Sequence, residues 1–111
     1  MHMDKNMSPQ AIEMVAERFR VLSEGIRLRL VNLLQDGEMT VTELTRELQT
    51  SQPNVSKHLK LLTDAGVLRR EQRGNTVLYS IADDTIFELC DVVCGSLDIK
   101  LKEQANLFEF A

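Results

Sequence analysis

The chain has 111 residues, of which 43% are hydrophobic, so it can build one hydrophobic core but is too short for two ordinary domains. The net charge of −4 is unevenly distributed: residues 51–82 carry five basic and two acidic side chains, whereas residues 83–111 carry two basic and seven acidic ones. The sequence lacks a membrane-spanning apolar run, a signal-peptide core, and a phosphate loop, metal triad or activated nucleophile, so we expect a cytoplasmic, non-enzymatic protein with reduced cysteines.

The first two helices are predicted from their caps and their apolar spacing. Residues 1–7 are polar, and we predict that they form a flexible tail without a function. Ser8 as N-cap and Pro9 at the first helical position predict a helix to about residue 22. A second helix is predicted over 24–35, with Ser23 as its N-cap. The apolar positions of the first helix are Ile12, Val15, Ala16, Phe19 and Leu22, and those of the second are Ile26, Leu30, Leu33 and Leu34.

The stretch 51–66 contains the start, the apolar stripe and the end of one helix, and a shorter helix is predicted just before it, from about residue 40 to 49. Ser51 is a good N-cap, Pro53 fits the first turn, and Gly66 supplies a left-handed end. This spacing is typical of a helix-turn-helix. Val55, Leu59 and Leu62 share one face, and the side chains expected to point outward, towards base edges and phosphates in a major groove, are those of Gln52, Asn54, Ser56, Lys57 and His58.

Two β-prone segments, 67–72 and 76–81, flank a turn at 73–75 and predict a β-hairpin. At its tip, Arg73 and Asn75 are placed to enter an adjacent minor groove, and Arg69 or Arg70 to contact a phosphate. The alternative for these arginines, and for Arg70 in particular, is an ion pair with a nearby carboxylate. The candidate DNA-binding residues are therefore Ser51, Gln52, Asn54, Ser56, Lys57, His58, Arg70, Arg73 and Asn75.

A last helix is predicted from Asp83 or Asp84, acting as N-cap, to about residue 107. Its apolar positions form a face wider than a small domain needs for its own core. We expect such a face to meet a partner, with Leu107, Phe108 and Phe110 extending the contact. One stripe consists of Ile86, Cys90, Val93, Cys94, Leu97 and Leu101, and it is widened by Phe87, Leu89 and Val92.

The segments 22–30, 42–48, 51–59 and 65–81, which include Ser51-Gln-Pro-Asn-Val-Ser-Lys-His-Leu59, resemble one known family, the ArsR/SmtB transcriptional repressors. The resemblance implies a mainly α-helical winged helix-turn-helix, in which four helices, a small β-hairpin and a fifth helix form a single DNA-binding and dimerisation domain over residues 8–111. It further implies a homodimer, formed through the first and last helices, that leaves its operator when it receives a chemical signal.

Three signal sites known from this family are not matched by the residues at the corresponding positions. The arsenic-type cysteine positions hold Thr40, Thr42 and Thr45, and the two sulfide-type cysteine positions hold Asn32 and about Asp98. Among the zinc-type ligand positions Asp83 fits, whereas Thr85, Ser96 and Ile99 do not. None of these three sites is therefore complete in this chain, and a signal would have to act through other residues.

Cys90 and Cys94 are the only two cysteines, and they lie one helical turn apart. Their Cβ atoms are expected about 5–6 Å apart, whereas a disulfide needs about 3.5–4.5 Å, so an unstrained bridge within the helix is not expected. Both sulfurs can bind a soft metal ion or a trivalent metalloid, provided that further ligands come from elsewhere. The alternative is inert packing on the apolar stripe.

These patterns together favour a sequence-specific DNA-binding regulator, in its simplest form a homodimeric repressor of a pseudo-palindromic operator. Release from the operator by a thiol-reactive signal at Cys90 and Cys94 is one hypothesis, and a repressor with inert cysteines is another. A different class of protein, a winged-helix protein-interaction module without specific DNA binding, is the remaining alternative.

Overall fold

The computed structural model describes residues 3–109, with side chains described as far as Ala105. Within these residues the predicted mainly helical fold with a small β-hairpin is confirmed, and a third, very short strand is added. Leu107, Phe108 and Phe110, which were expected to extend a dimer contact, lie outside the described side chains. The elements are α1 (Pro9–Val21), α2 (Gly25–Leu33), a 3₁₀ turn (Leu34–Asp36), β1 (Met39–Thr40), α3 (Val41–Leu48), α4 (Gln52–Asp64), β2 (Leu68–Arg73), β3 (Thr76–Ile81) and α5 (Thr85–Glu109).

The junction between α1 and α2 differs from the prediction. Ser8 caps α1 as expected, its hydroxyl accepting the Ala11 N–H at 3.1 Å. Ser23, however, does not cap α2: its hydroxyl donates to the Arg20 carbonyl at 2.8 Å and so closes the end of α1. Glu24 occupies the N-cap position of α2 without a side-chain capping bond. The start of α2 therefore lacks the serine cap that the sequence predicts.

Local signals set the start of α3 and both ends of α4. Thr40 and Glu43 form a reciprocal capping box at α3, with backbone-to-side-chain distances of 3.0 and 3.1 Å. The Ser51 hydroxyl accepts the Asn54 N–H at 3.3 Å and starts α4. Gly66, with φ +81, ends α4 in the left-handed conformation that glycine adopts without a steric penalty.

The strands form a three-stranded antiparallel sheet in the order β1-β3-β2. The β2–β3 hairpin turns at Gly74 and Asn75, and Gly74 has φ +62, as the first central residue of a two-residue hairpin loop often requires. At the base of the hairpin, the Val67 carbonyl accepts the N–H groups of Ala82 and Asp83 at 2.9 and 3.3 Å. The root of the hairpin is thereby tied to the segment that leads into α5.

The hydrophobic core lies between α2, α3, α4 and the sheet. Burying one such aliphatic side chain stabilises the fold by about 1.5–3 kcal/mol. The last helix contributes little to this core: Ile86 is buried, and residues 91–105 are all exposed. No helix among the described residues is long and apolar enough to cross a membrane. The largest fully buried side chains are those of Leu30, Leu34, Leu44, Val55, Leu59, Leu62 and Val67.

Candidate nucleic-acid interface

The first turn of α4 presents polar side chains opposite a fully buried apolar face. Gln52 and Lys57 are exposed, as is the cap residue Ser51, while Asn54 and Ser56 are half-buried. The Asn54 side chain donates one amide proton to the Thr50 hydroxyl at 3.3 Å. Because Val55, Leu59 and Leu62 are inaccessible to solvent, the polar edge of the helix has a fixed direction.

His58 does not belong to that polar edge, and its predicted outward position is wrong. The residue is only 4% exposed, and its Nδ1 accepts a hydrogen bond from Arg27 Nε at 3.1 Å. The helical period explains the error, since residue 58 lies three positions after Val55 and four before Leu62, within the buried stripe. Burial lowers the pKa of His58, outweighing the opposite effect of Glu24.

A cleft of about 390 Å³ separates α4 from the hairpin and has Arg70 on one wall. Its rim combines hydroxyl and basic groups with one carboxylate, and that carboxylate, of Asp64, is paired with Lys60 at 2.8 Å. None of the ion pairs among the described residues involves Arg70, so the alternative of a carboxylate partner for this arginine is not what the structure shows. The lining residues are Ser56, Lys60, Thr63, Asp64, Arg70 and Tyr79.

The ion pair falls instead on Arg73, beside the hairpin turn. Its guanidinium donates to both carboxylate oxygens of Glu38, at 2.7 and 2.9 Å, and also pairs with Glu71 at 3.1 Å. Such bidentate geometry is the strongest form of arginine–carboxylate contact. In the isolated protein the Arg73 guanidinium is therefore paired with two carboxylates, whereas Asn75 at the turn is exposed.

Removing the Glu38 carboxylate is expected to strengthen DNA binding. In Glu38→Gln, Arg73 keeps only Glu71 as a charged partner, so its positive charge becomes available to attract DNA. We expect tighter binding to operator and random DNA alike, and a logarithmic salt dependence steeper by up to about one unit, measured by anisotropy titration across salt concentrations. The matched control is Glu13→Gln, which removes a carboxylate from Arg20 on α1. An equal change in both variants would contradict the assignment.

Both terminal helices expose apolar side chains in the protomer. On α1, Ile12 and Phe19 are 49% and 54% exposed, and on α5, Val93 and Leu97 are 48% and 55% exposed. Other exposed apolar residues on these helices are Met14, Val92, Ile99 and Leu101. Apolar surface of this extent on two helices is typical of a protein–protein contact.

The two cysteines lie where α5 leaves the core. Cys90 is half-buried and Cys94 is exposed. Burial raises the pKa of the Cys90 thiol, and Cys94 and Asp91 add to the effect. Among the described residues no three His, Cys, Asp or Glu side chains come together as metal ligands, so the two sulfurs of one protomer form an incomplete site.

A short helix, a turn and a capped helix with a polar leading edge, followed by an antiparallel hairpin, define a winged helix-turn-helix DNA-binding protein; the hairpin is its wing. The comparisons with known proteins narrow this class. The family described as bacterial regulatory protein, arsR family, matches residues 24–70. The chain belongs to the ArsR family and is therefore a DNA-binding transcriptional regulator rather than an enzyme.

Three relatives illustrate the extent of the similarity. An uncharacterized HTH-type transcriptional regulator of Methanocaldococcus jannaschii is 34% identical over 82 residues, which are 73% of this chain and 92% of that protein. The HTH-type transcriptional repressor SmtB of Mycobacterium tuberculosis is 38% identical over 74 residues, 67% of this chain but only 55% of the repressor. The crystal structure of M. tuberculosis Rv0081 superposes with a TM-score of 0.79 at 31% identity, covering 89% of this chain and 99% of that one.

Proposed function

We propose that this protein is a homodimeric repressor that binds a pseudo-palindromic operator, with residues 8–111 acting as one DNA-binding and dimerisation domain in the cytoplasm. The observation that carries the proposal is the form of α4, whose exposed Gln52 and Lys57 project opposite a fully buried face. A major groove admits an α-helix in this orientation, with its N-terminal residues against the base edges. The similarity to the SmtB repressor supports repression as the regulatory outcome.

The cleft between α4 and the wing supports a path for one DNA strand. Ser56 and Lys60 lie on its helix side and Arg70 on its wing side, so hydroxyl and cationic groups face the same space. Phosphates are contacted by these side-chain types, and such contacts set register without reading sequence. We assign Gln52 and Asn54 to base reading, and Ser51, Ser56, Lys57 and Arg70 to phosphate contacts. Asn75 is assigned to the minor groove next to the wing, and Arg73 joins it once Glu38 is displaced.

The exposed apolar faces of α1 and α5 support dimerisation. Residues 91–105 of α5 are all exposed in the protomer, and Val93 and Leu97 would remain about half in water without a partner. A second copy related by a two-fold axis would cover both faces at once. The same axis would place the two α4 helices about one turn of DNA apart, or a multiple of it, which is the reason for expecting a pseudo-palindrome.

The proposed function is tested by titrating the protein against the promoter of its own operon and against the same bases in scrambled order. Specific binding is expected to be tighter by about 1,000-fold or more, with a steep salt dependence for both DNAs. Equal affinity for the two sequences would overturn operator recognition. Equal affinity together with a flat salt dependence would favour a protein-interaction module instead.

For the signal, we propose a thiol-reactive species at Cys90 and Cys94. Cys94 is exposed in the protomer, so inert packing in the protomer's own core does not account for this cysteine. The two sulfurs are one helical turn apart on the helix that we assign to dimerisation, where an added ion would change the contact between subunits. With the two cysteine thiolates as ligands, a trivalent metalloid needs one further ligand and a tetrahedral metal ion needs two. We assign these further ligands to the partner subunit.

Replacing both thiols is expected to abolish release from DNA in response to the signal. In Cys90→Ser with Cys94→Ser, operator affinity should equal that of the wild type, because both residues belong to α5 and neither is assigned to a DNA contact. Release of the wild type by trivalent arsenic, a thiophilic metal or an oxidant should disappear in this variant, as measured by operator anisotropy across such a panel. Ser96→Ala, on the same helix, serves as the control. A wild type that stays bound throughout the panel would show that the cysteines only pack.

A further inference from the structure

The Arg27 guanidinium joins three helices at one point. Its Nε donates to His58 Nδ1 on α4 at 3.1 Å, and its Nη1 donates to the Arg20 and Val21 carbonyls at the end of α1, at 3.2 and 3.1 Å. Its Nη2 pairs with Glu24, before the start of α2, at 3.2 Å. The Arg27 side chain is only 11% exposed, so this junction lies largely out of water.

The junction requires a neutral histidine. Arginine has no acceptor and does not lose its proton, so His58 Nδ1 must carry the lone pair and Nε2 the proton. That Nε2 faces Glu24 Oε2 at 3.7 Å, which is too long for a hydrogen bond. The charged groups that act on the ring are Glu24 and Arg27 of the α2 segment and Lys57 of α4. A proton on Nδ1 would set two donors against each other and break the contact with Arg27.

The contact constrains α4 in a way that its apolar face does not. Val55, Leu59 and Leu62 determine which side of the helix faces the core, but the hydrophobic effect is non-directional, so a directional contact adds a further constraint on the position of the helix. A buried hydrogen bond is directional, and His58 lies one turn after Asn54, within the half of the helix that reads DNA. Through the Arg27 bonds to α1 carbonyls, the same contact sets α4 relative to a helix that we assign to the dimer interface.

We propose that His58, held by Arg27, is a positioning residue that aligns α4 for base reading, and that its protonation lowers the preference for the operator. This inference rests on the proposed function. Because burial lowers the pKa of His58, the aligned state is complete near neutral pH and is lost as the pH falls through that lowered value, below the ordinary range around 6.5. Simple charge attraction has the opposite sign, since an added positive charge near DNA would strengthen binding to any sequence.

Two substitutions separate alignment from folding and from charge. His58→Asn keeps an acceptor close to the Nδ1 position but cannot titrate. His58→Leu fills the buried site with an apolar side chain and removes the acceptor. The measurement is the ratio of operator to scrambled-DNA affinity, taken in steps from about pH 7.5 down to about pH 4.5, because the pKa of His58 lies below the ordinary histidine value. Circular dichroism at each pH establishes that each variant is folded.

We expect the wild-type ratio to fall on acidification and the His58→Asn ratio to stay at the neutral wild-type level throughout the pH series. His58→Leu should lose about tenfold of the ratio at every pH, the size expected for a lost hydrogen bond to a charged donor, while keeping wild-type affinity for scrambled DNA. A pH-independent wild-type ratio, an equal acid loss in His58→Asn, or a wild-type ratio in His58→Leu would each overturn the inference. A wild type that ignores the operator even at neutral pH would instead overturn the proposed function, and this inference with it.

Discussion

The substitution Leu97→Asp is expected to reduce operator affinity by at least about 100-fold without unfolding the protomer, because two linked half-sites bind far more tightly than one. Leu97 is 55% exposed on α5 and lies outside the core of the protomer. In the proposed dimer it becomes buried, and an unpaired carboxylate buried at an interface costs about 3 kcal/mol or more. A two-fold axis would impose that cost twice, so the subunits should separate.

Sedimentation or light scattering would report the subunit number, and anisotropy the operator affinity, on the same samples. Lys102→Asp is the matched control, since it places a carboxylate on the same helix about 140° from Leu97, on the face that carries Asp98. The control should remain dimeric and bind the operator. A dimeric Leu97→Asp with normal operator affinity would remove α5 from the interface, and a monomeric wild type would remove the dimer altogether.

The second large effect is expected in α4, where Gln52→Ala and Asn54→Ala should each weaken operator binding by about 1–3 kcal/mol if the side chain pairs with a base edge. Affinity for random DNA should change little in either variant. Gln52→Ala is the cleaner test, because Asn54 also donates to Thr50 and its loss removes a bond within the protein. Competition titrations with operator and random DNA give both affinities.

Lys57→Ala is the comparison for these two variants. Its exposed ammonium is assigned to a phosphate, so its loss should weaken binding to all sequences and make the salt dependence shallower by about one unit. If all three variants lost equal affinity for operator and random DNA, the division between base readers and phosphate contacts would be wrong. If only Lys57→Ala had an effect, α4 would contribute charge but no sequence reading.

The sequence was sufficient to predict the elements whose signals are local. Ser51, Pro53 and Gly66 marked the start and end of α4, and the structure confirms both ends to within two residues. The wing followed from β-prone segments around Gly74. The strand β1 was missed because two residues are too few to show a period, and pairing with β3 defines it.

Contacts between distant parts of the chain could not be predicted in the same way. His58 was placed outside because it is polar, whereas its burial depends on Arg27, which lies 31 residues earlier. The pairing of Arg73 likewise depends on Glu38, 35 residues earlier. No spacing pattern in the sequence identifies Arg27 or Glu38 as these partners. The exposure of Gln52, which depends on the helix alone, was predicted correctly, whereas that of His58 was not. The DNA contacts themselves remain predictions.

The Val67 carbonyl connects three elements at one point. Val67 lies three residues after the end of α4, and its carbonyl accepts the N–H groups of Ala82 and Asp83, in the segment between the wing and α5. A tilt of α5 caused by a bound ion would strain these two hydrogen bonds, and it would therefore act on the segment after α4 and on the base of the wing together. One small rotation of α5 would then weaken the DNA contacts of both elements.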